Sequence, residues 1–225
     1  MLARQVARLL GSAVVTAWAL SFSTATAPVA VAASCPDVEV VFARGTSDPP
    51  GIGFVGRQFV TALKKSLPGK TVNVYPVNYP ASWNFSKSTS AGAVDANKHV
   101  QYIAGMCPKT KIVLGGMSQG AGVIDLITIG NRTIWFFTPS PLPDSMVNHV
   151  AAIAVFGNPS RDISTLGPLT KISPLYGSKA IDMCANGDPY CSKGNDFFAH
   201  FAYPWNGMVN EAATFAAGRV LGRDS

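Results

Sequence analysis

Short runs of β-branched and other apolar residues alternate along the chain with longer segments whose apolar side chains recur every three or four positions. The runs predict strands and the longer segments predict helices. The predicted strands are 38–43, 72–77, 111–115, 150–156 and 179–183, and the predicted helices are 54–67, 91–106, 119–129 and 208–221. Strands that alternate with helices form a mostly parallel sheet covered on both faces. We therefore expect an α/β fold, a three-layer αβα sandwich around a central five-stranded sheet.

Residues 1–32 have the layout of a secretory signal peptide. Two arginines precede a short apolar run over 9–22, and small residues then lead to an Ala-Val-Ala sequence that ends at Ala32. A retained membrane anchor is the alternative, but the run is shorter than the ~20 residues that a spanning helix needs. We expect export with cleavage near Ala32 or Ala33, which leaves one domain over 33–225.

Composition and charge narrow the class of protein. Apolar residues make up 48% of the chain and charged residues 13%, which suits a compact domain with buried strands. The net charge is +6, and it becomes +4 when the two arginines of the leader are removed. The other basic residues are scattered, with Lys64-Lys65 the one adjacent pair, so nucleic-acid binding is not expected. A mildly basic surface fits either peripheral association with an anionic cell envelope or an ordinary soluble monomer.

Four cysteines remain in an exported chain: Cys35, Cys107, Cys184 and Cys191. An even number in that context predicts two disulfides, for which three pairings exist. The short separation of Cys184 and Cys191 favours a bond that closes one small loop, and Cys35 is then left with Cys107. The spacing is not C-x-x-C and lacks nearby histidines, so a zinc site is not expected.

The segment Gly116-Met117-Ser118-Gln119-Gly120 fits G-x-S-x-G, the pattern of a nucleophilic serine on a tight strand-to-helix turn. An apolar run over 112–114 leads into it, and a helix-compatible segment follows. The turn strains the serine backbone, so its neighbours must be glycines. It presents the hydroxyl at the carboxyl edge of the sheet and at the positive end of a helix. The alternative is an ordinary serine in a glycine-rich turn.

A serine hydroxyl needs a base, and histidine suits that role near neutral pH. In folds that carry a nucleophilic serine on such a strand-to-helix turn, the chain order of the catalytic groups is serine, acid, histidine. His99 precedes the serine and therefore comes too early. His149 lies directly before a predicted strand and hence at the wrong end of the sheet. His200 follows the last predicted strand in a loop rich in aromatic residues, which makes it the candidate base.

Three aspartates lie between the fifth predicted strand and the candidate base. Asp182 falls within the strand, and Asp196 is close to His200 in sequence. Asp188 lies between Cys184 and Cys191, where a disulfide would restrict the loop that places its carboxylate. We favour Asp188 as the acid that orients the imidazole. The alternative is a turn aspartate, because Asn-Gly-Asp-Pro is strong turn chemistry by itself.

An oxyanion hole requires two donors aimed at the developing negative charge. One candidate is the backbone N–H of Gln119, the residue after the nucleophile. The other is Thr46, in the loop over 43–47 that follows the first predicted strand. The alternative is that Arg44-Gly45-Thr46 forms a plain turn.

The chain resembles the cutinase family, and particularly the cutinase-like secreted proteins of actinobacteria. The resemblance covers nearly all of the chain after the leader, and its segments together are more specific than any one motif. The segments are Cys35-Pro36-Asp37, Val41-Phe42-Ala43-Arg44-Gly45-Thr46, Cys107-Pro108, Gly115-Gly116-Met117-Ser118-Gln119-Gly120-Ala121, Ala154-Val155-Phe156-Gly157-Asn158-Pro159, Cys184-Ala185-Asn186-Gly187-Asp188-Pro189-Tyr190-Cys191 and His200-Phe201-Ala202-Tyr203.

The resemblance implies a lidless α/β-hydrolase fold. The matching positions are Ser118, Asp188 and His200 for the catalytic triad, Thr46 and Gln119 for the oxyanion hole, and Cys35–Cys107 and Cys184–Cys191 for the disulfides. Family members hydrolyse cutin, short- to medium-chain acyl esters, some triglycerides and polyesters. Some actinobacterial relatives act on simple esters, phospholipids or thioesters. Fungal members lack the segment 134–139, so the substrate range does not transfer directly. Asn84 loosely matches a family asparagine that supports the first oxyanion position.

We therefore expect a secreted serine esterase that acts on ester or lipid substrates through an acyl-enzyme, without a cofactor or a metal. Phospholipid or thioester hydrolysis and acyl transfer by the same groups are the enzymatic alternatives. An envelope-binding protein with a degenerate site is the non-enzymatic one. Trp83, Phe85, Phe197 and Phe198 are candidates for an apolar acyl groove, and plain packing is the alternative for them.

Overall fold

The computed structural model describes residues 35–132, 134 and 136–223. The predicted signal peptide over 1–32 lies outside the described residues. The strands and helices predicted from the sequence all fall within the described part.

The centre of the fold is a five-stranded sheet whose strand order is β2-β1-β3-β4-β5. Each neighbouring pair is parallel, so the expectation of a mostly parallel sheet is confirmed and the described sheet is parallel throughout. The strands are β1 Val38–Ala43, β2 Val72–Pro76, β3 Lys111–Met117, β4 Val150–Phe156 and β5 Ala180–Met183. The inner strands β1, β3 and β4 are almost continuous runs of buried residues, as expected where helices cover both faces.

Helices cover both faces of the sheet and complete the three layers. They are α1 Gly53–Ser66, α2 Phe85–Met106, α3 Gln119–Thr128, the single turn α4 Leu169–Ile172 and α5 Met208–Val220. Apolar residues of α2 and α3 pack with Val41 and Leu114 on one face. Residues of α1 and α5 pack with Val40 and Phe42 on the other, because successive side chains of a strand point to opposite faces. No helix of the described residues is long and apolar enough to cross a membrane.

Helix α2 begins at Phe85, six residues before the predicted start. The added turns contain little apolar periodicity, but Ser88 and Thr89 are buried in them. The hydroxyl of Ser88 accepts the amide of Ser82 and donates to the side chain of Gln119. These turns are therefore held by polar contacts with neighbouring loops, which apolar spacing does not reveal.

Two disulfides join elements of the described chain. Cys35 bonds to Cys107, which connects the segment before β1 to the end of α2. Cys184 bonds to Cys191 and closes the loop that follows β5. Such bonds are typical of proteins that mature outside the reducing cytosol.

Candidate active site

Ser118 occupies the turn between β3 and α3 with a φ of 54° and a ψ of −117°. A positive φ is costly for a residue other than glycine, and such strain concentrates at functional sites. The flanking glycines are required by close backbone approach. A Cβ on Gly116 would lie 2.2 Å from the carbonyl oxygen of Gly120, and one on Gly120 would lie 2.0 Å from that of Ala43. The G-x-S-x-G spacing is thus a direct consequence of this turn.

His200 and Asp188 form a buried pair near this serine. The Nδ1 atom of His200 lies 2.8 Å and 3.0 Å from the two carboxylate oxygens of Asp188. Asp188 is positioned by the loop between Cys184 and Cys191, whereas His200 lies in a 3₁₀ turn after that loop. Ser118 and His200 line the same cavity, which has a volume of about 610 Å³. Ser118 and His200, which are far apart in sequence, thus border one cavity, and Asp188 is bonded to His200 behind it.

The other histidines and aspartates considered from the sequence lie elsewhere. His99 of α2 pairs with the buried Glu39 of β1 at 2.9 Å. His149 lies directly before β4, at the amino end of that strand. Asp182 lies in β5 and accepts the first backbone amide of α4, and Asp196 accepts a backbone amide two residues further on. Among these candidates the structure pairs Asp188 with His200.

Three donors surround the carboxylate of Asp188. Besides His200, the hydroxyl of Tyr203 donates to it at 2.6 Å and the amide of Tyr190 donates at 2.9 Å. Burial alone would raise the pKa of Asp188, but the hydrogen bonds from His200, Tyr203 and Tyr190 outweigh burial and lower the pKa. Asp188 is therefore an ionised acceptor that fixes the ring and the tautomer of His200.

Tyr203 also belongs to this hydrogen-bonded group, and the sequence indicated it only as part of a family segment. Its side chain is fully buried, and burial followed by the hydrogen bond to Asp188 raises its pKa, so it stays a neutral donor. Its oxygen accepts the amide of Ala185 at 3.1 Å. The hydroxyl proton is therefore directed to Asp188.

Thr46 lies in a loop whose other amides are already bonded. The amide of Gly45 donates to the carboxylate of Asp48 at 3.0 Å, and that of Asp48 donates to the carbonyl of Gly45. The amide of Ser47 donates to the carbonyl of Ala81 at 2.7 Å. Within loop 45–48, which the structure describes in full, the amide of Thr46 is the one that has no acceptor in the protein. Thr46 also lines the cavity. These properties suit an oxyanion donor.

Gln119 is the first residue of α3, where backbone amides have no acceptor within the helix. Its side chain is anchored, since its amide group donates to the carbonyl of Ser82 and accepts the hydroxyl of Ser88. The described hydrogen bonds include none between Asn84 and Thr46, so the loose match of Asn84 has no counterpart in the geometry. Gln119 instead links the nucleophile turn to the start of α2.

The cavity is mainly apolar, and aromatic side chains surround its opening. Trp83 and Phe85 line it, as predicted for an acyl groove, and pack edge-on with ring centroids 5.7 Å apart. Phe197 and Phe198 are not among its lining residues and are largely exposed at the surface. The aromatic residues that line the cavity are Phe54, Trp83, Phe85, Phe136, Phe137, Tyr190, Phe201 and Trp205.

A further buried carboxyl group lies in α3, and sequence reasoning missed it. Asp125 is fully buried, accepts the side-chain amide of Asn158 at 3.1 Å and is bonded to the hydroxyl of Ser160. Burial, with a smaller effect of the Asp182 charge, raises the pKa of Asp125 to about 7. Asp125 also borders the cavity. The described residues include no group of three or more histidine, cysteine or acidic side chains that could hold a metal ion.

A serine on a strained strand-to-helix turn, next to a buried imidazole–carboxylate pair above a parallel sheet, is typical of the α/β-hydrolase class. The cutinase family profile matches residues 34–220, and the chain belongs to that family of carboxylic ester hydrolases. It is 44% identical to the carboxylesterase Culp1 of Mycobacterium tuberculosis, over 98% of both chains. It is 48% identical to the phospholipase Culp4 of the same organism, over 95% of this chain and 93% of that one. A Trichoderma reesei cutinase structure with a phosphonate inhibitor has a TM-score of 0.64 and 30% identity, covering 85% of this chain and 78% of the cutinase.

Proposed function

We propose that the chain is a secreted serine esterase in which Ser118, His200 and Asp188 hydrolyse carboxylic esters of short- to medium-chain acids. His200 takes the proton of Ser118 while the serine oxygen attacks the ester carbonyl. The amides of Thr46 and Gln119 hold the oxyanion, and each donor lowers the barrier by about 3 kcal/mol. Asp188 stabilises the imidazolium that forms.

The tetrahedral intermediate collapses when His200 gives its proton to the leaving alcohol, which departs and leaves an acyl group on Ser118. Water then repeats the sequence: His200 takes a proton from it, the hydroxide attacks the acyl carbonyl, and the acid leaves as the serine recovers its proton. All proton transfers use groups of this chain, and the reaction involves no redox change.

The observation that carries the proposal is the bond between Nδ1 of His200 and Asp188, with His200 and Ser118 on one cavity. Bonding at Nδ1 leaves Nε2 as the basic nitrogen of the ring, which is the atom that a serine triad needs. A binding protein has no requirement for this tautomer.

Labelling by a fluorophosphonate probe tests the proposal together with the hydrolysis of nitrophenyl esters. The wild-type protein is expected to take up one label and to turn over esters, and Ser118→Ala is expected to lose both. Ser145→Ala changes an exposed serine remote from the cavity and is expected to retain both. A folded wild-type protein that is neither labelled nor active would refute catalysis by this site.

Phospholipid hydrolysis by the same residues is a second candidate. It is supported by the 48% identity to a protein named a phospholipase and by the exposed aromatic side chains at the cavity opening, among them Trp83 and Trp205. Large exposed apolar patches are typical of lipid or protein contact sites. Release of fatty acid from phosphatidylcholine vesicles, compared with release from nitrophenyl esters of the same acid, distinguishes the two substrate classes.

We further propose that the chain is exported and that residues 1–32 are removed. The two disulfides support an oxidising compartment. The mass of protein recovered from the culture medium tests this proposal, because an uncleaved chain would retain the mass of the leader.

A further inference from the structure

The residues that line the cavity around Ser118 fall into two groups that belong to different parts of the fold. The first group surrounds the base: the ring of His200 lies 4.3 Å from that of Tyr190 and 5.6 Å from that of Phe201, and Trp205 also lines the cavity. The second group comes from α2, α3 and the segment after α3. We call the part of the cavity that it lines the α2–α3 pocket, and its residues are Thr89, Gly122, Leu126, Ile134 and Phe137.

The two halves of an ester must lie on different sides of the serine. The imidazole gives its proton to the leaving alcohol, so the alcohol leaves on the side of His200. The acyl half stays bonded to Ser118 and extends away from His200. The α2–α3 pocket belongs to the same cavity as Ser118, is mainly apolar and is not lined by the His200 loop, so it suits the acyl chain.

Gly122 controls how much of this space is open. It lies four residues after Ser118, so it is on the same side of α3 about 6 Å further along the axis. A Cβ built on Gly122 meets a single atom within 4 Å, the Cγ2 of Thr89 at 3.5 Å, which is an ordinary contact. The first carbon of a side chain therefore fits at this position, and the atoms beyond it would take up space in the pocket.

We infer that Gly122 is a specificity-determining residue whose missing side chain keeps the α2–α3 pocket open for the acyl chain of the substrate. The inference rests on the proposed function and gives its substrate class, namely esters of medium-chain acids in preference to acetates. Leu126 lies one turn beyond Gly122 and is 1% exposed, so it continues the apolar wall. Each methylene buried there favours the reaction about fourfold.

The experiment compares kcat/KM for nitrophenyl acetate and nitrophenyl octanoate in wild type, Gly122→Ala and Gly122→Leu. Gly122→Leu is expected to lower the octanoate-to-acetate ratio at least tenfold, because octanoate loses more of its binding space than acetate does. Gly122→Ala is expected to be intermediate. The matched control is Gly105→Leu, at an exposed glycine of α2 whose added Cβ meets no atom within 4 Å.

Thr89→Met narrows the same pocket from α2 and provides the same test if Gly122→Leu folds poorly. An unchanged octanoate-to-acetate ratio in a folded variant at either position would overturn the inference. That result leaves the proposed function intact, provided that Ser118→Ala is still inactive on acetate. Activity that persists in Ser118→Ala would instead refute the proposed function.

Discussion

The carboxylate of Asp188 is buried, yet it must remain ionised to serve His200. Desolvation disfavours the charge, and three hydrogen bonds restore it. The contribution of Tyr203 is directional, because the amide of Ala185 occupies its acceptor side and leaves its proton for Asp188. The acid of the proposed triad therefore depends on Tyr203, a neighbour that does not line the cavity.

Replacing Tyr203 with phenylalanine tests this dependence. Tyr203→Phe removes one donor from a carboxylate whose pKa is lowered in the folded protein, so that pKa rises. A hydrogen bond to a charged group contributes about 1.5–3 kcal/mol, so we expect kcat/KM to fall at least about tenfold at neutral pH. The acid limb of the pH profile should also move to higher pH. Ester hydrolysis measured across pH checks both effects.

Tyr102→Phe is the matched control, since it removes a hydroxyl from a tyrosine that is 61% exposed and remote from the cavity. It should leave the pH profile unchanged. If Tyr203→Phe lowers the rate but leaves the acid limb of the pH profile where it is in wild type, Tyr203 has a structural role only.

Ser118, His200 and Asp188 could be chosen from the sequence because local constraints mark them. The turn requires its two glycines, and the chain order of the fold class excludes His99. No comparable local pattern marks Tyr203 or Asp125. Their partners lie 15 and 33 to 35 residues away, and which buried polar groups meet depends on how the elements pack.

At the scale of elements, Asp125 links α3 to the turn that follows β4. That helix begins with Gln119, and the turn begins at Gly157, whose added Cβ would lie 2.7 Å from Cε1 of the His200 ring. Asn158 and Ser160 of the same turn bond to Asp125. The network therefore connects α3, which begins at Gln119, to the turn that packs against the ring of His200.

The strand and helix pattern predicted the sheet well, because buried parallel strands are continuous apolar runs. The predicted β1 and β4 have the observed bounds. The early turns of α2 were missed because Ser86 and Ser90 bond to the segment around Phe136 and Thr138. Those contacts are made with a part of the chain about 50 residues away.

The buried carboxyl of Asp125 makes stability depend on pH. Its pKa is about 7 in the folded protein and near 3.8 in the unfolded chain. Because the folded protein binds this proton more tightly than the unfolded chain does, Asp125 stabilises the fold fully below pH ~4. This contribution, on the order of 4 kcal/mol, is lost as the pH rises through about 7. Asp125→Asn resembles the protonated carboxyl, so its free energy of unfolding should lack this decline.

Urea unfolding between pH 4 and pH 8 measures the effect. Asp144→Asn, at an exposed aspartate, is the control and should keep the wild-type slope. Equal slopes for wild type and Asp125→Asn would mean that Asp125 is ionised in the folded protein throughout this range.

In the molecule as a whole, the two disulfides differ in what they stabilise. Cys35–Cys107 spans 72 residues and joins the start of the fold to the end of α2, whereas Cys184–Cys191 spans 7 and encloses Asp188. A bond that closes a longer loop removes more entropy from the unfolded chain, about 4 kcal/mol against roughly 2 kcal/mol. The long-range bond therefore stabilises the domain more, and the short one acts mainly on the site.

Paired substitutions separate these tasks. Cys35→Ser with Cys107→Ser should lower the free energy of unfolding by about 4 kcal/mol while kcat of the folded enzyme stays within about twofold.

Cys184→Ser with Cys191→Ser should lower the free energy of unfolding by only about half as much. The short-loop pair should nevertheless reduce kcat at least tenfold, because the Asp188 loop loses its closure and an imidazole without a fixed carboxylate loses its tautomer. Urea unfolding and ester hydrolysis on both double variants provide the comparison. If kcat falls only in proportion to the unfolded fraction in both, the short disulfide has no catalytic role, and the hydrogen bonds of Asp188 are sufficient to position it.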